Sequence, residues 1–308
     1  MRALVTGGCG FIGSNVVKTL LSKNVQVRVL DDLSTGYAKN IRGLDVEFIR
    51  GDIRQADVVR RALRRVDVVF HLAASVGNQR SLKDSRADSE INALGTLNIM
   101  EASRKSGVER VIYSSSAAIF GELLTSTVSE DHPQNPETPY GVSKLAGENY
   151  VMAFGKLYGI ISIALRYFNV YGVNQRYDPY GNVIPVFAKR LHQRKPLIIH
   201  GDGGQTRDFI NVRDVANANY LAATIASESS VFNVGTGKTI TINNLAKTLM
   251  ACTGLSASLV PGPKRIGDVR HCRADITRIE RALGFKPDTD IRKGLSQYYE
   301  WFSRERQQ

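Results

Sequence analysis

Tyr140 and Lys144, in the stretch YGVSK, stand four positions apart directly after Pro139. Proline is at home in the first turn of a helix, and on a helix that spacing stacks a phenol and an ammonium on one face. Surface helices carry such pairs often, so the neighbouring stretches decide what this one means. Upstream, SSSAAIFG at 114–121 sets three hydroxyls after the apolar run Val111-Ile112-Tyr113, with no acid and no histidine among them. A hydroxyl at the end of a buried strand, lacking a carboxylate beside it, restricts the chemistry that could use it.

A third stretch, TGGCGFIGS, follows the first apolar run and spaces Gly7, Gly10 and Gly13 as GxxGxxG. Glycines there permit a tight turn and let a pyrophosphate approach the backbone. The helix opening at Phe11 and Ile12 offers free N–H groups and a favourable dipole to that anion. The second apolar run ends in Asp31-Asp32, 18 residues after Gly13. A carboxylate at that point accepts both ribose hydroxyls of an adenosine and repels a 2′-phosphate, which favours NAD over NADP. Asp31 is the better placed, and Asp32 can cap the turn. The third run ends in Gly51-Asp52-Ile53, where Asp52 can accept from an adenine amino group or cap the next helix.

These residues need elements to position them. Strands are expected at 3–6, 25–30, 46–49, 68–72, 111–114 and 161–166, with helices near 11–23, 55–65, 88–106 and 140–158 between them. Continuous apolar strands separated by helices imply a parallel sheet covered on both faces. Right-handed crossovers make it doubly wound, with ligands at the carboxyl ends of its strands. Beyond residue 168 the rhythm loosens. Short strands near 197–200, 231–234 and 258–260 mix with helices near 183–194, 212–226, 241–252 and 275–283, which reads as a smaller α/β lobe. The expected division is a nucleotide-binding domain over 1–168, to which the chain returns near 205–228, and a second lobe from most of 169–308. Trp301 stands with Tyr298, Tyr299 and Phe302 on a terminal helix whose aromatic side should dock it.

Composition narrows the class. The 308 residues suffice for a sizeable core. No apolar run is long enough for a transmembrane helix, and the chain enters its first strand too early for a signal peptide. Cys9, Cys252 and Cys272 show no metal-ligand spacing, so no metal site and a reduced cytoplasm are expected. The net charge of +12 raises nucleic acid as a partner. Arg60, Arg61, Arg64 and Arg65, however, alternate with Val58, Val59, Ala62, Leu63 and Val66 at helical spacing, which makes them a solvated face. No aromatic residues interleave with them to stack bases.

The ordered set TGGCGFIGS, DDLSTG, GDI, HLAA, YSSSAAIFGE, PYGVSK, RYFNVYG, GDGGQTRDF and RIGDVRHCRAD spans residues 5–275. It resembles the nucleotide-sugar epimerases among the extended short-chain dehydrogenases/reductases. The resemblance implies a Rossmann sheet with a smaller α/β substrate-binding lobe, bound NAD, a UDP-sugar substrate and a homodimer built on the helices near 88–106 and 140–158. It further implies that Tyr140 is the base, eased by the Lys144 ammonium, and that Ser116 bridges it to the sugar 4-OH. Lys144 and Leu72-Ala73-Ala74 would hold the nicotinamide ribose. Asn169, Arg207 and Arg265 would take the diphosphate, Asp268 the nucleoside ribose, and Cys272 would face the hexose C2 substituent.

Epimerisation at C4 answers to the bare serine run. A sugar C4–H is not acidic, so it must leave as hydride while a hydroxyl relay takes the proton. The related 4,6-dehydratases also eliminate water and resemble this fold with an acidic pair beside the relay hydroxyl; here those positions are Ala117 and Ala118. A UDP-hexose 4-epimerase, with room for N-acetylhexosamines beside Cys272, is therefore expected. A UDP-glucuronate 4-epimerase or decarboxylase is the alternative within the fold, with Arg176 meeting a C6 carboxylate. A non-catalytic NAD sensor or RNA-binding relative would typically lack Tyr140 or Lys144, and both are present.

Overall fold

The computed structural model describes residues 1–177, 182–263 and 269–307. In chain order the first half runs β1 (Arg2–Thr6), α1 (Phe11–Ser22), β2 (Gln26–Asp31), β3 (Val46–Arg50), α2 (Ala56–Ala62), β4 (Val68–His71), α3 (Asn78–Lys83), α4 (Ser85–Ser89), α5 (Gly95–Ser106) and β5 (Arg110–Ser116). There follow β6 (Thr127–Val128), α6 (Pro139–Tyr158), β7 (Ile161–Tyr167), β8 (Asn169–Tyr171), α7 (Val183–His192), β9 (Leu197–His200), β10 (Thr206–Arg207) and β11 (Phe209–Asn211). The chain closes with α8 (Val212–Thr224), β12 (Ser230–Val234), β13 (Ile240–Thr241), α9 (Ile242–Thr253), β14 (Leu259–Gly262), β15 (His271–Ala274), α10 (Thr277–Leu283) and α11 (Ile291–Gln307).

Among the described residues seven strands pair in parallel, in the order β12-β7-β5-β4-β1-β2-β3. Their central residues, such as Leu4, Val5, Val29, Phe70, Ile112 and Leu165, have no exposed surface, because helices cover both faces. The order reverses between β1 and β4, and a crevice opens there at the strands' carboxyl ends. Those ends carry Gly7, Asp31, Leu72 and Ser116, which is how residues more than 100 positions apart come to share one site.

Two expectations need correction. Residues 231–234 belong to the large sheet, not the small lobe: β12 pairs with β7 along its whole length and extends the sheet at that edge. The helix expected over 88–106 is present and continuous, but it starts at Ser85 and widens midway. A π-helical turn, Glu90–Leu94, separates α4 from α5. There the Asn92 side chain is turned to the backbone of Ser75, accepting its N–H at 2.8 Å and donating to its carbonyl at 3.0 Å. Widened turns of this kind gather at functional sites.

The smaller lobe has its own core, with Phe187, Leu191, Leu245, Leu249, Leu295, Tyr298 and Phe302 from α7, α9 and α11. Trp301 packs against it, and Tyr298 donates its hydroxyl to the carbonyl of Gln175 at 3.1 Å. The aromatic side of α11 thus docks the terminal helix. Arg60, Arg61, Arg64 and Arg65 face solvent. No helix among the described residues is long and apolar enough to cross a membrane.

Candidate active site

A cavity of about 910 Å³ runs along the carboxyl ends of the strands and into the small lobe. At one end the first turn of α1 opens into it through Gly10, Phe11, Ile12 and Gly13. Gly10 precedes that helix without any side-chain cap, so the leading N–H groups are left for another partner. The loop admits only glycine at two points. Gly7 has φ +68°, and a Cβ on Gly13 would stand 2.1 Å from the Gly7 carbonyl oxygen.

The carboxylates at the ends of β2 and β3 differ in use. Asp31 is buried and accepts from the N–H groups of Cys9 and Leu33, both at 2.8 Å. Burial pushes its carboxyl up despite those bonds. Asp32 accepts from the N–H and hydroxyl of Ser34, a turn contact. Asp52 does not cap α2, whose N-cap is Gln55. Its carboxylate instead grips Arg54 at 2.6 and 2.9 Å, which holds it below the usual carboxylate range. All three, with Ile53, line the cavity.

Ser116, Tyr140 and Lys144 meet in the middle of the same wall, beside Leu72, Ala73 and Ala74. Thr138 caps α6 by accepting from the Gly141 N–H, and Pro139 opens it, so Tyr140 sits in the first turn and Lys144 one turn on. Ser116, the last residue of β5, accepts from the Ala118 N–H at 3.2 Å. Burial raises the Tyr140 phenol; nearby Ser116 lowers it and the Asp88 charge raises it further. Lys144 lies over the Tyr113 ring, with Nζ 4.3 Å from its centroid. Burial pushes the Lys144 amine down to about 7, while Asp88 and Glu148 pull it upward.

Beneath this trio lies a polar layer that the sequence reading did not anticipate. Glu148, one turn beyond Lys144 on α6, binds Arg166 of β7 at 2.6 Å and accepts from Ser115 of β5 at 2.5 Å. It thereby ties the helix bearing Tyr140 to the strand bearing Ser116. Nearer β1, the Thr6 hydroxyl accepts from the N–H groups of Leu72 and Ala73, both at 3.2 Å. Its own proton therefore goes to His71 Nδ1, 2.7 Å away, and His71 Nε2 donates to Thr96 at 2.9 Å. Thr96 in turn donates to the Asn92 carbonyl at 2.6 Å. Burial and then the Lys144 charge push His71 down to about 3, so this chain holds a neutral imidazole.

Toward the small lobe, Asn169 and Arg207 line the cavity. Asn169 Nδ2 donates to the Asp208 carbonyl at 3.0 Å, and Arg207 Nη1 to the Thr206 carbonyl at 2.8 Å. Arg176 also lines it, but packs on Tyr37 of the loop after β2, with Nη1 3.2 Å from the phenol oxygen. A carboxylate-binding role for Arg176 gains nothing from that position. Cys272 pairs in register with Arg207, yet packs toward the large core and is not among the lining residues. Arg265 and Asp268 lie outside the described residues.

Comparison with known proteins places this geometry. The profile of the NAD dependent epimerase/dehydratase family matches residues 3–235. This chain belongs to that family. It is 36% identical over 315 residues to a UDP-glucose 4-epimerase of Mycolicibacterium smegmatis, spanning 100% of both chains. Among solved structures it is similar to the Thermus thermophilus UDP-glucose 4-epimerase in complex with NAD, at TM-score 0.90 and 37% identity over 98% of this chain and 99% of that one. It is also similar to the UDP-N-acetylglucosamine 4-epimerase of Methanobrevibacter ruminantium in complex with UDP-N-acetylmuramic acid. There the TM-score is 0.94 with 34% identity, over 99% of this chain and 98% of the other.

As a member of an NAD-dependent family the protein is an enzyme with NAD as its cofactor, and the cavity fits that group. An uncapped helix start beside a loop closed to any Cβ suits a pyrophosphate. Residues behind the site that the sequence reading missed include Asp88, Asn92, Ser143 and Glu148, none of which lines the cavity. Ser143 stood inside the YGVSK stretch itself, and Asp88 and Asn92 share the i,i+4 spacing that marked Tyr140 and Lys144.

Proposed function

We propose that this protein is a cytoplasmic UDP-hexose 4-epimerase acting on UDP-glucose and UDP-galactose. The observation that carries the reading is the Ser116–Tyr140–Lys144 cluster on the wall of the family's NAD cavity, with no carboxylate in the run beside it. Ala117 and Ala118 follow Ser116 directly, and among the described residues the lining acids are Asp31, Asp32, Asp52 and Asp84. The first three belong to the strand ends at β2 and β3, and Asp84 accepts from the Ala87 N–H as the cap of α4. Elimination of water would want an acid at the relay hydroxyl; interconversion at C4 does not.

Bound NAD would supply the acceptor for the C4 hydride and the donor for its return to the other face of the sugar. Gly7, Gly10, Gly13 and the N–H groups at Phe11 and Ile12 would hold its pyrophosphate, and Asp31 its adenosine ribose. Leu72, Ala73, Ala74 and Lys144 would seat the nicotinamide ribose. Tyr140 takes the 4-OH proton through Ser116 and gives it back to the ketose oxygen. Burial and the Asp88 charge both oppose ionisation of Tyr140, so the base depends on a charged Lys144 one turn away. Asn169 and Arg207 would take the substrate diphosphate, with Arg265 and the ribose-binding Asp268 completing that end. Tyr140→Phe should retain the fold and bound NAD while lowering kcat by about a hundredfold or more. Ser116→Ala should cost less, because water replaces a relay hydroxyl in part. Near wild-type turnover in Tyr140→Phe would take the base role from that residue.

Cys272 does not line the cavity, but in this reading its small side chain behind Arg207 lets the wall there give way. It stands beside Arg207 across the β10–β15 pair, and its small side chain leaves room for an acetamido group at C2. Similarity to a UDP-N-acetylglucosamine 4-epimerase supports the same breadth. Wild type is expected to epimerise UDP-N-acetylglucosamine as well as UDP-glucose, and Cys272→Tyr to lose the first activity alone. An acetamido activity that tyrosine leaves unchanged would show that residue 272 does not face C2.

The active unit is a homodimer. Val142, Ala146, Tyr150, Ala153 and Leu157 repeat at helical spacing along the outer side of α6, and Leu94 is exposed beside them at the head of α5. An apolar row of that length on two adjacent helices matches a four-helix interface between copies. Light scattering at working concentration should give twice the 33.9 kDa chain mass; a monomer would refute the interface.

A further inference from the structure

Asp88 lies in α4, which packs against α6, and only 1% of it is exposed. Ser143 donates its hydroxyl to Asp88 Oδ2 at 2.5 Å and in turn accepts from Asn92 Nδ2 at 3.0 Å. Oδ1 has no hydrogen-bond partner among the described residues. A buried carboxylate with one hydroxyl and no cation is costly to maintain. Buried cations are equally rare here: among the described residues they are Arg28, Arg166 and Lys144. Arg28 pairs with Glu47 at 2.8 Å, and Arg166 with Glu148 at 2.6 Å. Lys144 makes no ion pair among the described residues. Asp88 and Lys144 thus stand without a direct ion pair on adjacent helices, whereas the other buried acids that lack a cation, Asp31, Asp208 and Asp214, each accept two or more hydrogen bonds.

We propose that Asp88 is a positioning residue for the epimerisation: its buried carboxylate, fixed by Ser143, keeps the Lys144 ammonium charged beneath Tyr140 without touching it. The inference rests on the Tyr140–Lys144 reading above. The separation has a physical use. A direct ion pair would draw the amine out of the cavity wall, whereas a charge fixed one helix away acts through the low-dielectric interior and leaves the amine free to face the cavity. Ser143 neighbours Lys144 in sequence, so its grip on Asp88 sets that spacing.

The other groups around Lys144 cannot supply the charge. On α6, Glu148 is already matched by Arg166, and Tyr140 is the group to be ionised. From β5, Tyr113 is buried and driven well above its ordinary range, so it stays neutral. From β4, His71 is neutral and its protonation would oppose the ammonium. Of the two carboxylates that pull Lys144 upward against burial, Asp88 is the one without a counter-cation.

Removing the carboxylate should let Lys144 lose its proton at lower pH. The test uses NAD-bound protein carrying ¹³Cε-lysine, with the Lys144 signal assigned by its loss in Lys144→Met. In Asp88→Asn the Lys144 titration midpoint should fall by about one pH unit. The alkaline limb of kcat/KM should fall with it, at unchanged KM for UDP-glucose. Asp88→Glu, which keeps the charge, should hold both near wild type. Should asparagine prevent folding, Asp88→Ser drops the charge while keeping a partner for Ser143. An unmoved Lys144 midpoint in the neutral variant overturns the assignment, whatever its activity. Absence of epimerase activity in wild type would instead strike at the proposed function, and the lysine titration would still decide the role of Asp88.

Discussion

An amine buried in a protein interior pays a desolvation penalty that favours its neutral form, and Lys144 sits at the point where that penalty meets the chemistry. Burial alone would leave a neutral lysine under a protonated tyrosine, which is useless as a base. Much of the surrounding structure opposes that outcome. Asp88 and Glu148 draw Lys144 toward its charged form. Glu148 also binds Arg166 and Ser115, so the electrostatics and the α6–β5 spacing share one side chain. The neutral His71 chain to Thr6, Thr96 and Asn92 fixes the ends of β1 and β4 without adding a competing positive charge.

Parallel topology makes this concentration possible. Every strand of the large sheet points its carboxyl end at the same crevice, so each βα turn contributes a functional residue at little structural cost. The glycine loop, Asp31, the Leu72–Ala73 backbone and Ser116 all come from such ends. Substrate binding is assigned to a separate lobe with its own hydrophobic core. In the proposed function, that division leaves the choice of sugar to the part of the wall near Arg207.

The sequence made the sheet legible because its strands are buried on both faces and read as unbroken apolar runs; six of its seven fell within a residue or two of expectation. The seventh, β12, was misplaced because a short apolar run carries no sign of which sheet it joins, and its partner β7 lies about 70 positions earlier. The π turn between α4 and α5 was invisible because Asn92 fits an ordinary helix locally; only its contact with the Ser75 backbone shows why the turn widens. In the site, residues with unusual spacing could be found, including Gly7, Gly10, Gly13, Tyr140 and Lys144. Residues acting through burial could not. Asp88, Glu148 and Arg166 look like ordinary charged side chains until the fold removes them from water.

The central claim is that the C4 hydrogen leaves and returns within one closed site, with Tyr140 and Ser116 handling only the hydroxyl proton. It is tested most directly by converting UDP-[4-²H]galactose in ordinary water and analysing the product by mass spectrometry and NMR. The account predicts UDP-glucose that keeps its deuterium at C4, with none lost to solvent. Product carrying protium at C4 would show that the hydrogen leaves as a proton, and would contradict the account.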